Sequence, residues 1–280
     1  MLSHSSIDRT LAISGEELRR AIAQQDLVLL YQPKLSCPDL ACAGAEALVR
    51  WMHPRHGLIA PDTFIALAEQ TGQIHDLGQW VLRAACRQLR AWRDAGGVDW
   101  TMAINVSPQQ LQRPGFYAAV CSALGDNRIP ADRLVLEVTE SALMHDPEAC
   151  LKLLYNLFGL GVQISLDDFG TGFSSLARLK QMPVHEVKIA REFIDDLDRS
   201  EVDRSIVSAI IDIATSLDLR VVAEGVEREG QRQQLQHLGC DQTQGYLHSP
   251  PIRADLFMDR FGPSVPVPPP QERTGVSAHA

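Results

Sequence analysis

The chain lacks the features of a membrane-spanning or secreted protein. None of its apolar runs reaches the roughly 18 residues that a transmembrane helix needs. The segment from Met1 to Thr10 is polar and does not contain the apolar core of a signal peptide. We therefore expect a cytoplasmic protein with no membrane segment.

Basic residues are in the minority. The 280 residues include 26 Lys and Arg against 35 Asp and Glu, which gives a formal charge of −9 at pH 7. A net acidic surface is unfavourable for binding phosphate backbones or anionic lipids, so nucleic acid is not expected as a partner. The shares of hydrophobic residues (45%) and charged residues (22%) are typical of a folded globular protein.

Cysteine is sparse and unpatterned. No C-x-x-C pair occurs, and no histidine lies near a cysteine at the spacing of zinc ligands. This pattern argues against a disulfide framework and favours reduced cysteines inside or on a globular domain. The six are Cys37, Cys42, Cys86, Cys121, Cys150 and Cys240.

Proline is concentrated at the C-terminal end. Five of the 16 prolines lie between Pro263 and Pro270, and few large apolar groups follow them. This composition predicts a proline-rich, disordered tail over 262–280. We also predict an N-terminal extension over 1–13 and a single domain over 14–261, long enough to bury a sizeable core.

Within this domain, short apolar runs alternate with stretches of helical periodicity, which predicts an α/β fold. The predicted strands are Leu27–Gln32, Gly44–Val49, Thr101–Val106, Leu134–Val138, Val162–Leu166, Glu186–Ile189, Leu219–Ala223 and Gln242–Tyr246. Eight strands alternating with helices over roughly 250 residues match a (β/α)8 barrel. A doubly wound sheet is the alternative, but its G-x-G-x-x-G turn is missing after the first strand.

Polar side chains recur at the ends of these strands. In a barrel, the carboxyl ends of the strands form one rim, and active sites lie there. A solvated strand end or a helix cap is enough to explain Glu140 or Glu227 taken alone. It does not explain the recurrence, nor carboxylates within apolar runs, where an unpaired charge is costly. The recurring groups are Glu46, Asn105, Glu137, Asp167, Asp168, Lys188, Glu224 and Gln244.

The candidate ligands are all oxygens, which indicates hard divalent ions such as Mg²⁺ or Mn²⁺ rather than zinc. Adjacent Asp167 and Asp168 are suited to two ions roughly 3.5–4 Å apart, the separation used in phosphoester hydrolysis. Lys188 would then neutralise charge in the transition state or orient the nucleophile. The residues alone therefore suggest two-metal phosphoester hydrolysis.

The segments around these residues resemble the EAL domain family. The match runs from about Leu18 to Phe257 in the family's order and spacing. It rests on Tyr31-Gln32-Pro33, Glu46-Ala47-Leu48-Val49-Arg50-Trp51, His53-Pro54, Asn105-Val106-Ser107, Leu136 to Ser141, Asp167 to Leu176, Val187-Lys188-Ile189, Val222 to Glu227 and Gln244-Gly245-Tyr246.

The resemblance implies a TIM-like barrel whose first strand runs antiparallel to the others. It also implies hydrolysis of cyclic di-GMP to linear pGpG, with two Mg²⁺ or Mn²⁺ ions activating the attacking water. A homodimer is the oligomeric state that it suggests. A sensory or regulatory partner placed upstream is a further expectation, because family members often follow such domains.

The resemblance also assigns roles to individual residues. The implied metal ligands are Glu46, Asn105, Glu137, Asp167 and Asp168. Catalytic roles are implied for Lys188, Glu46 and Glu224. Substrate contacts are implied for Gln32, Leu48, Arg50, Glu227, Gln244 and Tyr246. A regulatory loop, held by Glu140, is implied for Phe169, Gly170, Thr171, Gly172, Phe173, Ser174 and Ser175.

One position departs from the family pattern. Ala190 stands where active members carry the aspartate of a K-I-D motif. Because residue 190 follows Lys188 by two positions, we expect it to face the site and its acid to be lost from the second ion's surroundings. Two alternatives to an active enzyme follow: a non-catalytic cyclic di-GMP receptor, and an interaction module without ligand binding.

Overall fold

The computed structural model describes residues 13–24, 26–96, 98–143, 146–171 and 179–263. The strands are β1 Leu27–Ser36, β2 Cys42–His53, β3 Gly57–Ile59, β4 Thr101–Asn105, β5 Leu134–Thr139, β6 Gln163–Phe169, β7 Glu186–Ile189, β8 Arg220–Ala223 and β9 Gln242–Thr243. The helices are α1 Gly15–Gln24, α2 Pro61–Gln70, α3 Ile74–Gly96, α4 Pro108–Gln112, α5 Phe116–Asn127, α6 Pro147–Leu160, α7 Arg191–Ile194, α8 Glu201–Ser216, α9 Glu229–Leu238 and α10 Ala254–Phe261. Two short 3₁₀ segments cover Ala131–Arg133 and Glu140–Leu143.

The strands close into a barrel. Around the sheet the order is β1-β9-β8-β7-β6-β5-β4-β2, and a pairing of β1 with β2 closes the ring. The small strand β3 adds to the outer edge of β2. Strand β1 is antiparallel to both of its neighbours, whereas the pairs from β2 and β4 round to β8 and β9 are parallel. The predicted TIM-like barrel with an antiparallel first strand is confirmed.

The last predicted strand is shorter than expected. Gln242–Tyr246 was the sequence-based range, but the ladder ends at Thr243. Beyond it, the Val226 amide donates to the Gln244 carbonyl and the Leu247 amide donates to the Val226 carbonyl, so the backbone turns across the rim. Gly245 permits this close approach, because a Cβ there would lie 2.1 Å from the Val226 carbonyl oxygen. Gln244 and Tyr246 are therefore on a rim loop.

The apolar core lies between the barrel and its helices. An aromatic cluster joins β1 to α3 and α10: Tyr31 meets Trp92 edge-on at 4.8 Å, and Trp92 stacks on Phe257 at 4.7 Å. Trp92 belongs to the amphipathic helix predicted over Leu77–Trp92, which extends here from Ile74 to Gly96. The rings hold the antiparallel strand against the helical layer and contribute beyond their buried area.

The predicted extension and tail are largely outside the described residues, which include only Ile13, Gly262 and Pro263 from them. Ile13 packs against the core. Among the helices that the structure describes, none is long and apolar enough to cross a membrane.

Candidate active site

The carboxyl ends of the parallel strands surround a cleft of about 220 Å³. Nine of its lining residues are candidate site residues of the sequence analysis, and they are spread along the chain from residue 32 to residue 246. Arg191, Gly225 and Gly245 also line it. The nine are Gln32, Glu46, Leu48, Asp167, Lys188, Glu224, Glu227, Gln244 and Tyr246.

Lys188 lies at the centre of a ring of carboxylates. Its ammonium nitrogen is 2.5 Å from Glu224 Oε1, 2.8 Å from Glu137 Oε2, 3.3 Å from Asp167 Oδ1 and 3.8 Å from Glu46 Oε2. The side chain is only 1% exposed. Burial alone would lower the pKa of Lys188, but the carboxylates, led by Glu137, raise it well above its usual range. Lys188 therefore stays protonated, and we name these four carboxylates and Lys188 the rim cluster.

The members of the rim cluster differ in acidity. Burial raises the pKa of Glu224 to about 8, and burial likewise raises the pKa values of Glu46 and Asp167. Burial would raise that of Glu137 too, but Lys188 and Lys34 lower its pKa to about 2. Burial thus disfavours the charged forms of Glu46, Asp167 and Glu224, whereas the two lysines favour the charged form of Glu137.

Two amides hydrogen-bond to Glu46, and a third amide holds one of them. Asn105 Nδ2 donates to Glu46 Oε1 at 2.6 Å, and Gln244 Nε2 donates to Glu46 Oε2 at 2.6 Å. Gln244 Nε2 also donates to Gln32 Oε1, and Gln32 Nε2 donates to the Ser249 carbonyl. Gln244 Oε1 is buried without a hydrogen-bond partner among the described residues. A buried acceptor without a partner in a polar cleft would be satisfied by a hydrogen-bond donor or a cation.

Three carboxylates at the cleft are placed as ligands for a divalent cation. Asp167, Asp168 and Glu224 each offer one oxygen, and these three oxygens lie within 4.8 Å of one another. Asp168 is exposed beside the half-buried Asp167, and its φ of +54° reflects a register shift between Leu166 and Phe169. The donors are all hard oxygens, as Mg²⁺ or Mn²⁺ requires. Asn105 is joined to the rim cluster through its hydrogen bond to Glu46.

A larger, mainly apolar cavity of about 550 Å³ adjoins the cleft, and we name it the side cavity. Leu48 lines both spaces. Arg50, predicted as a substrate contact, lines the side cavity rather than the cleft, together with Asp62 and Asn105. The Arg50 guanidinium donates to the Val49 carbonyl at 2.8 Å, which holds it along β2.

The predicted regulatory loop and Glu140, which was expected to hold it, follow strands β6 and β5. Glu140 lies in the 3₁₀ segment directly after β5, and Phe169, Gly170 and Thr171 follow Asp167 and Asp168. The Thr171 hydroxyl donates to the Asp168 carbonyl at 3.0 Å. The remaining loop residues that the sequence proposed, Gly172, Phe173, Ser174 and Ser175, lie outside the described residues.

The orientation expected for residue 190 stays a prediction. Strand β7 ends at Ile189, and Ala190 is the buried N-cap of α7, with an extended backbone of φ −59° and ψ 145°. Its methyl group is not among the groups described as lining the cleft. The next residue, Arg191, does line it.

Sequence reasoning also missed three functional candidates. Arg191 lies across Gly225 at the mouth of the cleft, and its guanidinium is 2.9 Å from Glu227 Oε1 and 3.1 Å from Asp195 Oδ1. Lys34 and Glu186 lie deeper in the barrel, beneath the rim cluster. The available signal was spacing, because Lys34 follows Gln32 by two positions and Glu186 precedes Lys188 by two.

A sequence model described as the EAL domain matches residues 15–251. The chain is 48% identical over 242 residues to the bifunctional diguanylate cyclase/cyclic di-GMP phosphodiesterase MucR of Pseudomonas aeruginosa, which covers 86% of this chain and 35% of that protein. It is 46% identical over 237 residues to the cyclic di-GMP phosphodiesterase NbdA of the same species, covering 85% of this chain and 30% of the relative. The chain thus spans about a third of the length of these relatives.

Solved structures are also similar. A complex of the PaMucR phosphodiesterase with c-di-GMP superposes with a TM-score of 0.83 at 47% identity, covering 86% of this chain and 98% of the other. The EAL enzyme Bd1971, in a form bound to cAMP and cyclic di-GMP, superposes with a TM-score of 0.84 at 32% identity. That match covers 88% of this chain and 67% of the other.

Proposed function

Because the chain belongs to the EAL domain family, we propose that it hydrolyses cyclic di-GMP to linear pGpG with the help of two divalent ions. The observation that carries the proposal is that oxygens of Asp167 and Glu224, two members of the rim cluster, converge with one of Asp168 beside the buried Lys188. The names of the relatives support the choice of substrate.

The residues that would hold the ions are Asp167, Asp168 and Glu224, together with Glu46 and Glu137, which also contact Lys188, and Asn105, which donates to Glu46. When bound, Mg²⁺ or Mn²⁺ supplies Lewis-acid stabilisation of the phosphoryl oxygens and lowers the pKa of the attacking water. The amides on Glu46 and the lysines on Glu137 hold these carboxylates in place.

Lys188 acts as a fixed positive charge in this proposal. It remains protonated, so it donates to the attacking water or to a phosphoryl oxygen instead of accepting a proton. Among its carboxylate partners, Glu224 has the most exposed side chain, at 23%, and is the one most open to water in the cleft. Glu224 is therefore the group that we assign to accept the water's proton.

The shape of the site suits a substrate with two similar halves. The cleft holds the phosphodiester that is cut, and the adjoining side cavity offers apolar walls to a base, next to Asp62 and Arg50. Arg50 and Arg191 supply cations on either side for the phosphates. Gln32, Leu48, Glu227, Gln244 and Tyr246 complete the substrate contacts in this proposal.

The test is to incubate the purified chain with cyclic di-GMP and Mg²⁺, Mn²⁺ or EDTA, and to follow pGpG by chromatography. Metal-dependent turnover that EDTA abolishes is the expected result. An Ala190→Asp variant runs alongside, because it restores the acid that the family pattern carries two residues after Lys188. Absence of turnover in the unchanged chain, with ligand-dependent thermal stabilisation, would instead support the receptor alternative.

We also propose that the chain acts in the cytoplasm as a homodimer controlled by a sensory or regulatory partner. The support is the resemblance of the loop after Asp168 and the greater length of the relatives. Light scattering with and without Mg²⁺ would measure the dimer, and a monomer at all concentrations would contradict it.

A further inference from the structure

A second concave surface lies between helices α3 and α5. Its narrow part holds about 150 Å³ and its wide part about 280 Å³. Gln79, Leu82, Gly115 and Ala119 line both parts, so the two are continuous, and we name them together the α3–α5 groove. Its size falls in the range of small-molecule sites, which begins at roughly 300 Å³.

The groove is separate from the catalytic cleft, with which it shares no lining residue among those described. Gly78 and Gln110 line both the side cavity and the narrow part of the groove, so they form the wall between these two spaces. Gln110 is 6% exposed, and its Oε1 accepts a hydrogen bond from the Ser107 amide at 3.1 Å. A Cβ at Gly78 would overlap Gln110 Nε2, so glycine lets this amide pack directly on α3. A ligand in the groove would therefore lie outside the substrate space of the proposed function.

The narrow part of the groove carries a positive charge without a partner. Arg113 and His75 line it, and the residues described as lining this part include no acid. Within the described ranges of the chain, the Arg113 guanidinium makes no hydrogen bond or ion pair with another side chain. His75 Nδ1 is buried and has no hydrogen-bond partner among the same residues. A buried polar atom that lines a cavity is satisfied by a ligand that bonds to it.

Arg113 and His75 are close enough to act on each other. Burial lowers the pKa of His75, the Arg113 guanidinium lowers it further, and Asp76 opposes them more weakly. His75 is therefore neutral near neutral pH and can donate one ring N–H, while Arg113 offers the planar fork of donors that matches a phosphate. In a chain with a formal charge of −9, this local excess of positive charge favours an anion.

The wide part of the groove has charges of both signs. Arg83 and Asp126 line it with Ser122, whose hydroxyl donates to Asp126 Oδ2 at 3.2 Å. Leu82 and Ala119 give apolar walls to both parts. A guanidinium donor and a carboxylate acceptor in one hollow suit the hydroxyl groups of a sugar, because each hydroxyl both donates and accepts.

We propose that the α3–α5 groove binds a small sugar phosphate, with the phosphate at Arg113 and His75 and the hydroxylated body extending toward Ser122 and Asp126. The guanidinium–phosphate pair fixes one end of the ligand, and the polar groups of the wide part recognise the other end. Such binding needs neither bound metal nor turnover, so it is independent of the proposed function.

Isothermal titration calorimetry of the full chain tests this site with three probes: ribose 5-phosphate, ribose and inorganic phosphate. EDTA is present throughout, so that no divalent ion at the rim cluster recruits the phosphate, and the ionic strength is held constant. The test variants are Arg113→Met, which removes the phosphate partner, and Asp126→Asn, which changes only the wide part. The matched control is Arg20→Met, which removes the same charge from an exposed position of α1 outside the groove.

We expect ribose 5-phosphate to bind the wild-type chain more tightly than ribose or inorganic phosphate, by about tenfold or more. Arg113→Met should weaken this binding by about tenfold, because it removes a hydrogen-bonding partner that carries charge. Asp126→Asn should weaken the binding of ribose 5-phosphate and leave that of inorganic phosphate unchanged. Arg20→Met should keep the wild-type affinities.

Three results would overturn the inference. The first is that ribose 5-phosphate at millimolar concentrations does not bind the wild-type chain, or binds no more tightly than ribose. The second is that Arg113→Met and Arg20→Met have the same affinity for it. The third is equal affinity for ribose 5-phosphate and inorganic phosphate, which would contradict the sugar body. Arg113, Asp126 and Arg20 are all exposed, so these variants should keep the native circular dichroism spectrum.

Discussion

Two groups of buried charged side chains lie in the same barrel: the rim cluster and, beneath it, Lys34, Glu186 and Ser165, which we call the floor cluster. The two clusters differ in the balance of positive and negative charge. In the floor cluster, Lys34 shares its charge between Glu186 and Glu137 in a group closed to the cleft. In the rim cluster, Lys188 faces four carboxylates, and the pKa values of three of them are raised by burial. A structural ion-pair group is neutralised within itself, while a functional one is left short of positive charge that a ligand supplies.

The largest effect is expected at the centre of the rim cluster. Lys188→Met removes the buried cation beside the reacting phosphate, so turnover should fall by about 10²- to 10⁴-fold. Initial rates of pGpG formation at saturating Mg²⁺ measure this. Lys152→Met, at an exposed lysine of α6, is the control and should keep wild-type rates. Near-normal turnover in Lys188→Met would remove the functional distinction between the clusters.

The floor cluster should respond in stability. Lys34→Met leaves Glu137 and Glu186 buried with fewer partners, which should lower the free energy of unfolding by about 3–5 kcal/mol. Glu186→Gln keeps a hydrogen-bonding partner for Ser165 and should cost less. Urea unfolding in EDTA measures both variants. Equal losses would show that Lys34 does not bridge two carboxylates.

In metal-free protein, two carboxylates of the rim cluster, Glu137 beside Lys34 and Glu224 at the cleft, should make the free energy of unfolding depend on pH with opposite signs. The folded-state pKa of Glu137 is lowered from 4.5 to about 2, despite its burial, by Lys188 and Lys34. Its stabilising contribution is thus present above the unfolded-state pKa near 4.5 and is lost as the pH falls toward 2. The pKa of Glu224 is raised by burial to about 8, so its contribution is present below 4.5 and is lost as the pH rises through 8.

Urea unfolding in EDTA between pH 3 and 9 tests these signs. We expect Glu137→Gln to reduce the acid-side loss and Glu224→Gln to reduce the alkaline-side loss. Metal should replace the proton on Glu224, so added Mg²⁺ should stabilise the protein more at pH 8 than at pH 6. A Mg²⁺ effect that is independent of pH would argue against protonated carboxylates at the rim.

The smallest effect is expected at the mouth of the rim. The Arg191 side chain is 57% exposed and pairs with Glu227 and Asp195, so Arg191→Met should change stability little. If Arg191 contacts a phosphate, KM for cyclic di-GMP should rise about tenfold with kcat nearly unchanged. Steady-state kinetics separate the two constants. A lower kcat at constant KM would place Arg191 in the chemistry instead.

The residues of the rim cluster could be predicted from the sequence more readily than those of the floor cluster. Glu46, Asp167 and Lys188 stood out because each ends or interrupts an apolar run, where a charge needs a reason. Lys34 did not, because a lysine near a strand end is usually solvated, and only the closed barrel brings β1 against β5 and β7. Residue partners across 103 and 152 positions are set by topology, which local patterning does not specify.

The prediction for Ala190 meets a related limit. The period-two rule extends only as far as the strand, and β7 ends one residue earlier, at Ile189. A similar limit applied to Gly245, whose role in bending the rim loop depends on the backbone of Val226. Boundaries decided by tertiary contact are where sequence reasoning is weakest.

The central claim is that the rim cluster is a divalent-metal site, and anomalous diffraction from crystals grown with Mn²⁺ tests it most directly. The account predicts anomalous density among the carboxylates of Asp167, Asp168 and Glu224, with Lys188 beside it and no density among Lys34, Glu186 and Ser165. Density absent from the rim at saturating Mn²⁺, or present at the floor cluster instead, would contradict it.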